Sequence, residues 1–166
     1  MLAMMLLLMP FRWLAAAVIA AIFHEMCHYG AIRLLSGNSS KISVYSSGAM
    51  MALPEISRGS ELICALAGPA GGLLLIPLSA IFPRLALCSL LQSLYNLLPI
   101  YPLDGGRALG CLLAMNLSPP KAASVLRWTG IICRILLISA GCYASFFLQW
   151  GILPLLFVIL TCIRIK

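Results

Sequence analysis

Apolar residues fill long stretches of this chain, and polar positions collect between them. A short stretch over residues 1 to 9 ends at Pro10, and a longer one runs from about Phe11 to Leu35. The second is long enough to cross a bilayer as a helix, and the polar run Ser36-Gly37-Asn38-Ser39-Ser40 ends it. Residues 41 to 53 are β-branched, glycine-containing and only loosely alternating, which predicts an extended segment or a short β-hairpin at the membrane surface. A second span is expected from about Glu61 to Phe82, interrupted by Gly68-Pro69 and Gly71-Gly72. A third is expected from about Leu85 to Leu103, interrupted by Pro99 and Pro102. Inside a bilayer, backbone groups freed by such breaks must be satisfied by protein or water, so the breaks point inward. After a polar stretch from Gly105 to Arg127, two more spans fit at about 128 to 147 and 150 to 163. The pattern predicts an all-α polytopic membrane protein of about five to six transmembrane helices, forming one integral-membrane domain over residues 1–166.

Composition excludes the soluble alternative. The chain is 63% hydrophobic and 9% charged, whereas globular domains carry about 25% charged residues. Eleven Lys and Arg against four acids give a net charge of +7. With no polar domain to use that charge on nucleic acid, the basic residues are read as membrane-flanking loops, and no nucleic-acid partner is expected. Seven cysteines stand singly in apolar segments without metal-type spacing, as small buried hydrophobes. Residues 1 to 9 lack a basic start, so no cleaved signal peptide is expected.

The basic residues also set the orientation. If the first strong helix exits on one side, eight cations (Arg33, Lys41, Arg58, Arg107, Lys121, Arg127, Arg164 and Lys166) fall on that side, and Arg12 and Arg84 fall on the other. The eight mark the cytoplasmic face. Arg134 lies within a span, about two turns from that face, within reach of a snorkelling side chain.

Both histidines of the chain occur in His24-Glu25-Met26-Cys27-His28. A spacing of four on a helix puts the two imidazoles on one face, suited to one Zn²⁺ ion, and leaves Glu25 beside them as general base for a hydrolytic water. The plainer reading is a pair of core histidines with a Glu partner. Charged groups at bilayer depth are costly and mark function, which favours the metal. Catalytic zinc needs a third protein ligand, for which Glu55, Glu61, Asp104 and the cysteines are the candidates. Glu55 and Glu61 flank Arg58 as a solvated loop cluster would. Cys27 shares the histidine face, but a thiolate there would blunt the metal's acidity, and a packing role suits it better. Asp104 ends an apolar span at Pro102-Leu103-Asp104-Gly105-Gly106. It is either a turn aspartate or a group in need of a partner. His24 lies nine residues before Arg33 and Asp104 three before Arg107, so both approach the cytoplasmic half of the membrane.

Three strings together resemble the site-2 protease family of intramembrane zinc metalloproteases. They are His24-Glu25-Met26-Cys27-His28, Ala67-Gly68-Pro69, and the run from Asn96-Leu97-Leu98-Pro99 to Asp104-Gly105-Gly106. The wording of the last is nearest to the stage IV sporulation protein FB branch. The resemblance spans roughly residues 15 to 110. It implies one zinc ion held by His24, His28 and Asp104, with Glu25 activating water. Asn96, in an unwound part of the third span, would hold substrate, and the segment around Gly48 would pair with an unwound substrate strand. It implies a catalytic core over about 11–110 and a C-terminal helical pair over about 125–165. The partners implied are a transmembrane or membrane-associated protein substrate, such as a transcription-factor precursor, a regulatory membrane partner, and the lipid bilayer. The implied location is a bacterial cytoplasmic membrane, with the site toward the cytoplasm. There are two departures: family members usually carry a full apolar segment ahead of the motif helix, where this sequence offers nine residues before Pro10, so either the N-terminus is abbreviated or the true start lies upstream; and many members carry a PDZ or CBS domain, which is not expected here. Two rivals remain, a membrane zincin of another family using Glu55 or Glu61 as third ligand, and a non-enzymatic membrane protein that binds or transports a metal.

Overall fold

The structure is a computed structural model that describes residues 10–36, 44–45, 48–49 and 57–146. Its described residues are mostly helical. They fall into two compact units, residues 1–97 and 98–166.

In the first unit, α1 (Phe11–Ser36) begins at Pro10, whose carbonyl accepts from the Trp13 and Leu14 amides. Its buried residues are Ala16, Ala20, His24, His28 and Ile32, each four positions from the last. That row is one of the ridges along which helices pack. Val18, Ile19, Ile22 and Met26 lie outside it and are exposed, as suits a helix whose other faces meet lipid. Backbone pairing joins β1 (Val44–Tyr45) to β2 (Gly48–Ala49) in antiparallel register, Val44 opposite Ala49 and Tyr45 opposite Gly48.

Helix α2 (Arg58–Leu73) starts at the N-cap Ser57, whose Oγ accepts from the Ser60 amide at 3.2 Å, and carries Glu61 in its first turn, where the helix dipole favours an acid. The break expected at Gly68-Pro69 does not occur. The helix runs through both residues, losing one backbone donor at the buried Pro69 ring, and gives way only after Leu73 to a 3₁₀ turn over Ile76–Ala80. Helix α3 (Pro83–Asn96) has 14 residues, about 21 Å of rise and too short to span alone. The third expected span therefore holds its helix only as far as Asn96. Helices α1, α2 and α3 pack on one another through a core of Ala16, Ala20, Cys64, Ala65, Gly68, Gly71, Gly72, Ala86, Ser89 and Ser93. Small residues let membrane helices approach closely, where a greasy interface would gain nothing over lipid.

The second unit opens with an irregular segment at 98–103 that contains a cis peptide at Tyr101-Pro102. The Ile100 carbonyl accepts from the Leu103 amide at 2.8 Å. Helix α4 (Asp104–Asn116) follows at once, then α5 (Pro119–Phe146) packed against it. A β-carbon at Gly106 would collide with the Ile100 and Tyr101 backbone, so only glycine allows this fold-back. The polar stretch expected over 105–127 is thus corrected. Asp104 occupies the first turn of α4, the run from Ala108 to Met115 is apolar and helix-forming, and Pro119-Pro120 begin α5.

By length and hydropathy, three helical segments among the described residues can cross a membrane: Phe11–Leu35, Arg58–Ala80 and Pro119–Tyr143. The span expected at 150–163 and Glu55 lie outside the described residues.

Candidate metal centre

The spacing of four that defines the α1 ridge brings His24 and His28 into the core of the first unit, where they are 2% and 8% exposed. Their rings meet edge to face, with centroids 4.8 Å apart and planes at 81°, and their Nε2 atoms approach to 3.2 Å. His28 Nδ1 lies 2.7 Å from the Cys64 carbonyl oxygen on α2. A carbonyl only accepts, so Nδ1 carries a proton, and in the neutral ring the lone pair then lies on His28 Nε2, the atom that faces His24. Metal-ligating histidines are commonly fixed in this way, by donating their second ring nitrogen to a backbone carbonyl.

Three observations test whether these residues suit a zinc ion. Two nitrogens bound at about 2.0–2.1 Å in a tetrahedral arrangement stand about 3.3 Å apart, and the observed separation is 3.2 Å. With its proton on Nδ1, the neutral His28 ring offers Nε2 as the ligand atom, the form that a metal requires. Finally, α2 presents Gly68 to the pair. A β-carbon there would overlap His28 Nε2 and stand 2.7 Å from His24 Nε2. Room beside both ligand atoms exists because residue 68 has no side chain. The residues fit.

The other predicted site residues are placed as follows. Glu25 is exposed on α1, directly after His24. Asn96 is the last residue of α3, not part of the unwound stretch, and its Nδ2 lies 3.3 Å from His24 Nε2. It therefore reaches the nitrogen a metal would use. Gly48 pairs with Tyr45 in the two-residue ladder. Cys27 is half-buried against α2, where a β-carbon at Gly71 would collide with its Sγ, so the thiol fills space beside a glycine. Glu61 stands in the first turn of α2. Among the described residues of the first unit, no Glu or Cys joins the two histidines to make a group of three ligands. In the second unit, Asp104 is about nine-tenths buried at the first position of α4.

Two contributors carried no role in the sequence. Cys64 acts through its backbone carbonyl, for which no side-chain signal exists. Gly68 stood out as a helix breaker and within the Ala67-Gly68-Pro69 string, but its use as clearance beside a histidine pair depends on which helix faces it.

No family model matches the sequence. A zinc metalloprotease of Methanocaldococcus jannaschii is 23% identical over 137 residues, a match that takes in 74% of this chain. The chain spans 40% of the length of that relative. Among solved structures, a site-2 protease from Methanocaldococcus jannaschii superimposes with a TM-score of 0.58 at 21% identity, covering 89% of this chain and 73% of that one. At these identities the likeness shows the fold alone. The likeness is in particular to the site-2 protease fold.

Proposed function

We propose that this chain is an intramembrane zinc metalloprotease, with His24, His28 and Asp104 as the ligands of one ion and Glu25 as general base. The observation that carries the reading is the buried imidazole pair, with Nε2 atoms 3.2 Å apart and one ring locked by a backbone carbonyl. Asp104 completes the set because zinc wants a third protein ligand and the described part of the first unit offers none. Among the described residues Glu61 joins no such group, which counts against a zincin that takes Glu61 as its third ligand.

Zinc held by these residues would polarise a peptide carbonyl and lower the pKa of a water. The chain's own residues do the rest. Glu25 takes the proton of the attacking water and returns it to the leaving amine as the C–N bond breaks. Asn96, beside His24, holds substrate backbone through its amide. The backbone around Gly48 pairs with a substrate segment that has left its helix, because an unwound strand in hydrocarbon must find hydrogen-bond partners. The substrate is a transmembrane or membrane-associated protein, reached within a bundle of five to six membrane segments. The sporulation-like string from Asn96 to Gly106 suggests a transcription-factor precursor in a bacterial cytoplasmic membrane, and the eight-to-two distribution of cations supports a site facing the cytoplasm.

The test is cleavage of a transmembrane reporter by purified protein, with and without chelator, beside Glu25→Gln. Chelation and Glu25→Gln should each abolish cleavage, the variant losing at least about 10²-fold while retaining its zinc. Cleavage that survives in Glu25→Gln refutes the assignment. Zinc binding without any cleavage by the wild type would favour a metal carrier.

A further inference from the structure

At the far end of the first unit from the histidine pair, the start of α1 and the start of α3 flank an open recess of about 460 Å³. Its size falls within the range of ligand sites. Ala15, Ala16 and Ile19 of α1 and Ile81, Phe82 and Leu85 form its apolar walls, and Arg12 and Arg84 join the lining from exposed positions. Among the described residues no acidic side chain lines it. The Arg84 guanidinium lies 5.8 Å from the centroid of the Trp13 ring, a cation–π distance that holds the charge in place.

The depth of this site follows from α1. Arg12 and Arg33 are 21 residues apart on one helix, about 31 Å of rise, which matches a hydrocarbon core of about 30 Å. Arg12 therefore lies at one headgroup layer and Arg33 at the other, with Trp13 where interfacial tryptophans collect. His24 is twelve residues further along, about 18 Å away, so the recess is separate from the candidate metal centre. An apolar recess in the headgroup layer, with two guanidiniums at its edge and no acid among the described residues, is complementary to an amphiphile with an anionic head. Guanidinium forks bind phosphate oxygens in pairs, and the recess accepts the upper part of an acyl chain.

We propose that this recess binds an anionic phospholipid of the surrounding bilayer, with its phosphate between Arg12 and Arg84 and one chain against Ile19, Ile81 and Phe82. The inference rests on α1 crossing the membrane and is independent of proteolysis.

Native mass spectrometry of the full chain tests it, after purification in detergent and equilibration with equal amounts of phosphatidylglycerol and phosphatidylcholine. Two cations at an anionic headgroup correspond to about a thirtyfold preference for phosphatidylglycerol. That preference should collapse in the double variant Arg12→Gln/Arg84→Gln and persist in Arg33→Gln. Ala15→Leu, which narrows the recess without touching charge, should lower retention of the lipid, so the site stays testable even if the double variant fails to fold. Inorganic phosphate at millimolar concentration should not displace the lipid. An undiminished preference in the double variant, full retention in Ala15→Leu, displacement by phosphate alone, or a second copy of the chain held in place of lipid would each overturn the proposal.

Discussion

Replacing Gly68 with alanine adds one methyl group where α2 faces the two imidazoles. The new carbon would stand 2.7 Å from both His24 Nε2 and His28 Cδ2, and closer still to His28 Nε2, whereas ordinary contact begins at 3.4 Å. The rings must then retreat by at least the difference, 0.7 Å. His28 has little freedom to do so, because its Nδ1 is tied to the Cys64 carbonyl at 2.7 Å. Zinc sites tolerate errors of about 0.2 Å in ligand distance, so the pair would be pushed beyond the tolerance of the ion.

Disturbing only the groups that orient a zinc ligand costs about 10- to 100-fold in affinity. Displacing two ligands directly should reach the upper end of that range, about 100-fold or 2.7 kcal/mol, with a further 1–3 kcal/mol of folding stability lost to overpacking. The assay is zinc retained by purified protein dialysed against graded zinc buffers, measured by elemental analysis beside thermal unfolding. Gly30→Ala serves as the comparator, since a β-carbon there meets nothing within 4 Å, and should hold zinc as the wild type does. A folded Gly68→Ala protein with wild-type zinc affinity would refute the reasoning, because the clearance at residue 68 would then have no bearing on the metal.

Two further variants probe the ligand set and the packing that supports it. Asp104→Ala should lose zinc by at least about 100-fold, as expected when a ligand is removed, while Glu61→Ala and Glu55→Ala keep it. Metal content reads the difference, and the reverse pattern would establish a glutamate third ligand. Ser89→Ala deletes the bond from its Oγ to the Gly72 carbonyl at 2.8 Å and should cost about 0.6 kcal/mol in detergent unfolding. Ser89→Leu, facing the same glycine, should cost about 1–3 kcal/mol from overpacking.

What the sequence disclosed follows the range over which each interaction acts. The His24–His28 pair, Glu25 and the span at 11–35 are local, written in spacings along one helix, and could be read directly. The ends of α2 and α3 were harder. Glycine and proline at 68–72 resemble a break by local propensity, yet packing overrides propensity here, because those residues are the surface α2 offers to α1 and α3. The stretch after Gly105 was read as polar from its few charges and prolines, though the prolines only punctuate two helices. Asn96 was assigned from resemblance to an unwound segment. Its position as the last helical residue of α3, with its amide at His24, depends on how α3 packs against α1, which no single-helix periodicity contains.

The row Ala16, Ala20, His24, His28, Ile32 explains why two polar rings can be accommodated at the centre of a membrane unit. A metal pair at positions i and i+4 has the same spacing as a helix-packing ridge, so placing the ligands requires no distortion of α1. What it requires is a neighbour small enough to leave room for the rings, and a carbonyl within reach of one of them. Helix α2 supplies both within four residues: the Cys64 carbonyl fixes the tautomer, and Gly68, one turn later on the same face, clears the space beside the Nε2 atoms. The histidine motif is therefore half of a two-helix device. A chain with His24-Glu25-Met26-Cys27-His28 intact but a bulky side chain at residue 68 would keep the motif and lose the geometry that the proposed metal site needs.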